Sequence, residues 1–166
     1  VGNSYRGIAQ VLVEVGVLSF EEASARVAGA DVDQPVEDDE IGETLADLGV
    51  AFVVPGYDVD DLEESYRSVL QDAGRVAGVR IHDIRLDGGE LHWRRDGEPV
   101  SWHVEHLSDA YLDHLACFEF VHLLEPDDER TFHSMPQQES GDDSVYVLAS
   151  AEQARRLSEE LGLVFD

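Results

Sequence analysis

The chain contains no lysine: all 11 of its basic residues are arginine. That excludes a Schiff-base lysine, a pyridoxal-phosphate attachment point and a Walker-type phosphate lysine. Cysteine is nearly absent too. A lone Cys117 cannot form an internal disulfide and gives no sign of an oxidising compartment. No run of about 18 apolar residues exists, so no membrane-spanning helix is expected. The opening residues VGNSYRGIAQVLVEVG lack a basic n-region and a small-residue cleavage site. A signal peptide is therefore not expected, and the cytoplasm is the expected location.

Positive charge is scarce overall. The 37 Asp and Glu residues leave a formal net charge of -26. Such a balance argues against sequence-independent nucleic-acid binding, where basic groups must neutralise phosphates. It argues equally against docking on an anionic membrane. Three readings of the acidity are open. One is a coding bias toward Arg, Ala, Gly and Val. Another is adaptation to high salt, where an acidic surface keeps a protein soluble. The third is a surface that steers and holds a basic partner.

What is present suits an ordinary globular protein. A chain of 166 residues, 43% apolar and 29% charged, can bury one sound core without metal or disulfide staples. One domain over 1–166 is expected, divisible into a helical subregion over 1–50 and an α+β core over 50–166. The charges are unevenly spread. Between Arg26 and Arg67 lie 13 acids and no base, whereas Arg75, Arg80, Arg85, Arg94 and Arg95 share their stretch with only three acids.

Helical spacing of Ile8, Leu12 and Val15 predicts a helix over 4–15. Ser19 and Glu22 form a capping box for a second helix that ends near Gly29. Ile41, Leu45 and Leu48 mark a third, stopped by Gly49. The apolar run Val50–Val54 predicts a buried strand, and a helix follows over about 59–74. Residues 79–105 predict three antiparallel strands joined by the two-residue turns Gly88-Gly89 and Asp96-Gly97. Those turns set a register. Leu86 faces Leu91, Ile84 faces Trp93, Trp93 faces Val100 and Leu91 faces Trp102 on one side. The other side collects Asp83 opposite Arg94, Arg85 opposite His92, His92 opposite Ser101, and Glu90 opposite His103. Ser108 and Asp109 are expected to cap a helix over 109–124 that offers Leu112, Leu115, Ala116, Phe120 and Leu123 to the core. A strand pair over 131–135 and 144–148 then flanks the polar loop QQESGDD. Ser150 and Gln153 cap a last helix ended by Gly162, and 163–165 can add a strand. The fold class is α+β: a helical N-terminal lead followed by a mostly antiparallel sheet packed against helices.

Four groups of residues could carry chemistry. All seven histidines fall between His82 and His133. Of these, His106 and His114, with Asp109 and Asp113, could bring metal ligands to a strand–helix junction. The spacing matches no standard ligand pattern, and HVEH is not the helical H-E-x-x-H. Arg85, His92, Arg94 and His103 on the polar sheet face could hold an anion, or could form cross-strand ion pairs on a solvated face. Asp38, Asp39, Glu40, Asp58, Asp60 and Asp61 could meet a basic partner. The run from Asp31 to Glu40 has only a superficial likeness to a calcium loop, because Val36 and Gly42 stand where an EF-hand needs Gly and Glu. Cys117, on an apolar helix, is expected in the core. No cofactor is expected.

From Asp142 the chain reads DDSVYVLASAEQA and closes with LGLVF at Phe165. This ending resembles that of small bacterial proteins of the toxin-immunity kind, which pair a strand with a capped helix and a short final strand. The resemblance covers the last quarter of the chain and carries over no functional residue. It implies a non-enzymatic protein that neutralises a basic nuclease toxin by covering it. The leading expectation is therefore an acidic protein-binding domain for a basic protein. A small His-rich metal-binding or hydrolytic domain is the competing one, and a salt-adapted globular domain the third.

Overall fold

Ser4 accepts the N–H of Gly7 at 3.0 Å and so starts the first helix where hydroxyl capping places it. In the computed structural model, which describes residues 3–28, 33–56, 58–135 and 143–166, this is α1 (Tyr5–Val15), preceded by the two-residue β1 (Asn3–Ser4). Then come α2 (Phe20–Val27), β2 (Pro35–Val36), α3 (Ile41–Asp47), β3 (Ala51–Val54) and α4 (Leu62–Ala77). A meander of β4 (Ile81–Asp87), β5 (Glu90–Arg95) and β6 (Glu98–His103) follows. The chain ends with α5 (His114–Phe120), β7 (Thr131–Met135), β8 (Ser144–Ala149) and α6 (Ala151–Leu161). The α+β class holds. Gly29, Asp31, residues 137–142 of the polar loop and the Asp142 that opens the immunity-like ending lie outside the described residues.

The larger strands form two antiparallel three-stranded sheets, ordered β3-β8-β7 and β4-β5-β6, where the sequence suggested one. Strand β8 explains the architecture. Its alternate residues face opposite ways, and both ways are buried. Tyr146 and Leu148 join Phe52, Phe132, Tyr66 and Trp93 in one core, between the sheet and α4, α5 and the meander. Val147 and Ala149 join Ile8, Leu12, Leu45 and Leu157 in the other, beneath α1, α2, α3 and α6. The central sheet is thus covered on both faces. The C-terminal α6 completes the N-terminal helical layer: Gln153 Nε2 donates to Gly16 O at 3.1 Å and Arg156 to Glu14 O at 3.2 Å.

The meander follows its turn chemistry. Asp96 and Gly97 both adopt positive φ (49° and 90°), as a type I′ hairpin requires. Leu86 pairs with Leu91, Leu91 with Trp102, Trp93 with Val100, Arg85 with His92, His92 with Ser101, and Glu90 with His103. The pairing of Asp83 with Arg94 needs correction. His82 faces Arg94, and Asp83 and Ile84 together oppose Trp93. Asp83 has φ +53°, and the extra residue makes a β-bulge. Ile84 nevertheless stays buried.

Other boundaries shift as well. Helix α4 starts three residues later than expected, because Asp61 is its cap, accepting Glu64 N–H at 2.9 Å. The helix expected over 109–124 begins only at His114, capped by Asp113, and relaxes into a 3-10 turn over Val121–Leu124. Two hydrogen bonds hold the delayed start. Asp113 N–H donates to Tyr66 Oη at 2.8 Å, and Asp113 Oδ1 accepts from Ala116 N–H at 3.0 Å. Leu115 and Leu123, expected in the core, are exposed. Residues 163–165 form no strand, although Asp166 N–H reaches Ser134 O at 2.8 Å along β7. No helix among the described residues is long and apolar enough to cross a membrane.

Candidate binding surface

The link between β3 and α4 concentrates aspartate, with Asp58, Asp60 and Asp61 in four residues. Acids in the first turn of a helix are favoured by its dipole, and Asp61 also caps the chain. The fold adds two more, Asp143 just before β8 and Asp72 about three turns along α4. Asp58, Asp60, Asp61, Glu64, Asp72 and Asp143 line one open cleft of about 500 Å³, floored by Val53, Pro55, Val59 and Val69. Arg67 pairs with Glu64 and Arg75 with Asp72. The other four carboxylates have no arginine partner among the described residues. Asp143 instead accepts Gly56 N–H at 2.8 Å, which ties the start of β8 to the end of β3. Asp58 stands near the Tyr111 hydroxyl and raises the phenol's pKa. Val59 N–H donates to Ala110 O at 2.7 Å, so the segment before α5 forms one wall beside the cleft.

Asp38, Asp39 and Glu40 form an exposed 3-10 turn ahead of α3. Two residues on, Gly42 sits so close to β8 that an added Cβ would lie 2.8 Å from Val145 Cγ2. This turn therefore lies at the same end of the central sheet as Asp143, on the opposite face from α4. Of the six acids read from the sequence, Asp58, Asp60 and Asp61 line the cleft, and Asp38, Asp39 and Glu40 stand outside it on the turn before α3.

Three of the four candidates for a metal, His106, His114 and Asp113, are engaged by protein groups. His106 Nε2 lies 2.7 Å from Tyr66 Oη, whose pKa burial raises, so the phenol stays protonated. His114 Nε2 must carry a hydrogen, because its partner at 2.8 Å is the Pro55 carbonyl; its Nδ1 bonds Ser144 Oγ at 2.8 Å. Asp113 caps α5 and also accepts Glu105 N–H at 2.8 Å. Asp109 bonds none of these three. Among the described residues no three His, Cys, Asp or Glu side chains gather as a metal site. Cys117 is buried, and burial followed by the nearby Asp113 charge pushes its thiol pKa up, which disfavours thiolate chemistry.

The polar face of the meander carries local pairs. Arg94 donates to Gly97 O at 2.8 Å and approaches Asp83 at 3.5 Å, so its fork turns toward the hairpin. His92 bonds Ser101 at 2.8 Å, and His103 lies between Glu90 at 3.2 Å and Glu105 at 3.6 Å. Arg85 is exposed in the row Arg85–His92–Ser101.

Sequence reasoning missed Glu64, Asp72, Asp143 and Tyr111 in the cleft and its wall. Asp58, Asp60 and Asp61 alone of the cleft carboxylates were named from the sequence. Asp143 reaches the cleft through a strand pairing far along the chain. No family model, curated protein or solved structure matches this chain.

Proposed function

We propose that this chain is a non-enzymatic, cytoplasmic binding domain whose acidic end docks a basic protein. The partner class is a basic toxin or enzyme that the domain neutralises by covering it. The observation that carries this reading is the gathering of Asp58, Asp60, Asp61 and Asp143 around one cleft, with no arginine paired to them among the described residues. Like charges held together oppose the compact state, and a net charge of -26 adds to that. A cationic partner relieves the repulsion on binding and is steered inward from a distance. The immunity-like ending over 142–165 supports the neutralising role.

The test compares the protein with a variant carrying Asp58→Asn, Asp60→Asn and Asp61→Asn, in which the amide at position 61 keeps a capping oxygen for α4. Both are immobilised and exposed to native lysate near physiological ionic strength, where the Debye length is roughly 8 Å. One basic protein held in near-equal amount by the native chain and lost by the variant supports the reading. No retained protein, or equal retention by both, overturns it. Replacing Asp38, Asp39 and Glu40 together is expected to slow association with that protein; an unchanged on-rate removes their turn from the interface.

A further inference from the structure

Helix α5 is apolar on two sides, and only one of them is used. Phe120 is 1% exposed and packs on Trp93 and Trp102, with Ala116, Cys117 and Leu124 buried beside it. On the opposite side Leu115 is 68% exposed and Phe118 is 45% exposed, three residues apart and so neighbours on the helix surface. Tyr111, 49% exposed, stands just before the helix, and Leu107, in the same preceding loop, is fully exposed. Single exposed apolar residues are ordinary on a protein surface, but several from one short stretch mark a contact site.

This apolar ridge continues from the acidic cleft. Val59 of the cleft floor donates its N–H to the carbonyl of Ala110, next to Tyr111, and His114, the first residue of α5, bonds the carbonyl of Pro55 in the cleft floor. The segment that carries the ridge is acidic, and Arg95, which reaches its far end at the Leu123 carbonyl, is paired there with Asp127. Between Arg95 and Arg130 the chain has ten acids and neither Arg nor Lys. A second copy of the chain would bring this acidic field against its own like, which is strongly unfavourable.

We propose that the ridge of Tyr111, Leu115 and Phe118 is the anchor for an amphipathic basic helix of the partner, whose cations enter the adjoining cleft. This rests on the basic-partner reading above and names the form the partner's contact takes. Exposed residues at i and i+3 on one helix offer a ridge that a partner helix can straddle. Burying Leu115 and Phe118 supplies affinity, and the carboxylates supply steering and register.

The test uses a synthetic Leu/Lys peptide of about 14 residues patterned as an amphipathic helix, and a shuffled peptide of the same composition without an apolar face. Binding of each is measured against salt for the native chain, for Leu115→Ser with Phe118→Ser, and for the Asp58, Asp60, Asp61 to Asn variant. The ridge proposal expects the native chain to prefer the patterned peptide by roughly tenfold or more, since one buried side chain suffices for that. It expects the ridge variant to lose that preference while the salt dependence stays. Equal binding of the two peptides by the native chain, or a preference that survives in the ridge variant, overturns it. Failure of the broader reading looks different: the cleft variant then binds both peptides with unchanged salt dependence, while the preference for the patterned peptide persists. Urea midpoints of the ridge variant matching the native chain show that it is folded.

Discussion

Glu63 Oε2 accepts the N–H of Leu86 at 2.9 Å, so a helix carboxylate holds a backbone donor on the outer edge of the meander. Arg67, one turn on, completes the seal by donating to Ile84 O at 3.1 Å. The two side chains satisfy strand groups that would otherwise face open solvent beside the bulge at Asp83 and Ile84. At the other edge β6 carries Pro99, a residue with no N–H to offer a further strand.

That edge seal predicts a pH effect. The Leu86 N–H, and after it the Arg67 hydrogen bond, hold the Glu63 carboxyl below its usual pKa. A depressed folded pKa gives stability that is complete above the unfolded pKa and is lost as pH falls through the folded value. Glu63→Gln keeps an acceptor at every pH, so its urea midpoint should fall less on acidification than that of the native chain. Superimposable pH profiles would remove Glu63 from the account.

Tyr66 is a second point of control. Its hydroxyl accepts from Asp113 N–H and meets His106 Nε2. Tyr66→Phe leaves both groups without that partner, which should cost about 1–3 kcal/mol. The expected readout is a lower urea midpoint with an unchanged slope. A midpoint equal to the native one would show that the junction does not need this hydroxyl.

The two sides of α5 should respond oppositely to truncation. Phe120→Ala empties a site in the core and should destabilise by about 3–5 kcal/mol. Leu115→Ala touches a solvated side and should stay within about 0.5 kcal/mol. Thermal unfolding of the pair checks this, and a large loss at Leu115 would mean that the side assigned to a partner is structural.

Gly74 lies inside α4, where alanine would ordinarily gain up to about 1 kcal/mol of helix propensity. Here an added Cβ would lie 2.8 Å from Ile81 Cγ1 and 2.9 Å from the Val79 carbonyl. Backbone cannot step aside as a side chain can, so Gly74→Ala should lower the melting temperature. A rise would show that α4 and β4 can separate freely.

The parts of the fold that could be read in advance are those governed by neighbours in sequence. The turns at Gly88-Gly89 and Asp96-Gly97 set the register of Leu91 with Trp102, and the capping residues Ser19 and Ser150 open their helices as expected. The parts that could not be read depend on distant groups. Asp109 and Asp113 are equally good caps by type, and a hydroxyl 47 residues away selects Asp113. Helix α5 carries large apolar residues on opposite sides, so their type alone does not distinguish buried Phe120 from exposed Phe118. Asp58, Asp60 and Asp61 were visible as an acidic run, but Asp143 joins them only through the pairing of β3 with β8.

A strand that belongs to two cores imposes an order of events on a growing chain. Ile8, Leu12 and Leu45 emerge early in synthesis, yet the sheet face and the helix that cover them come from β8 and α6. The early helices can pack on one another, but their core is completed only when the last quarter of the sequence arrives.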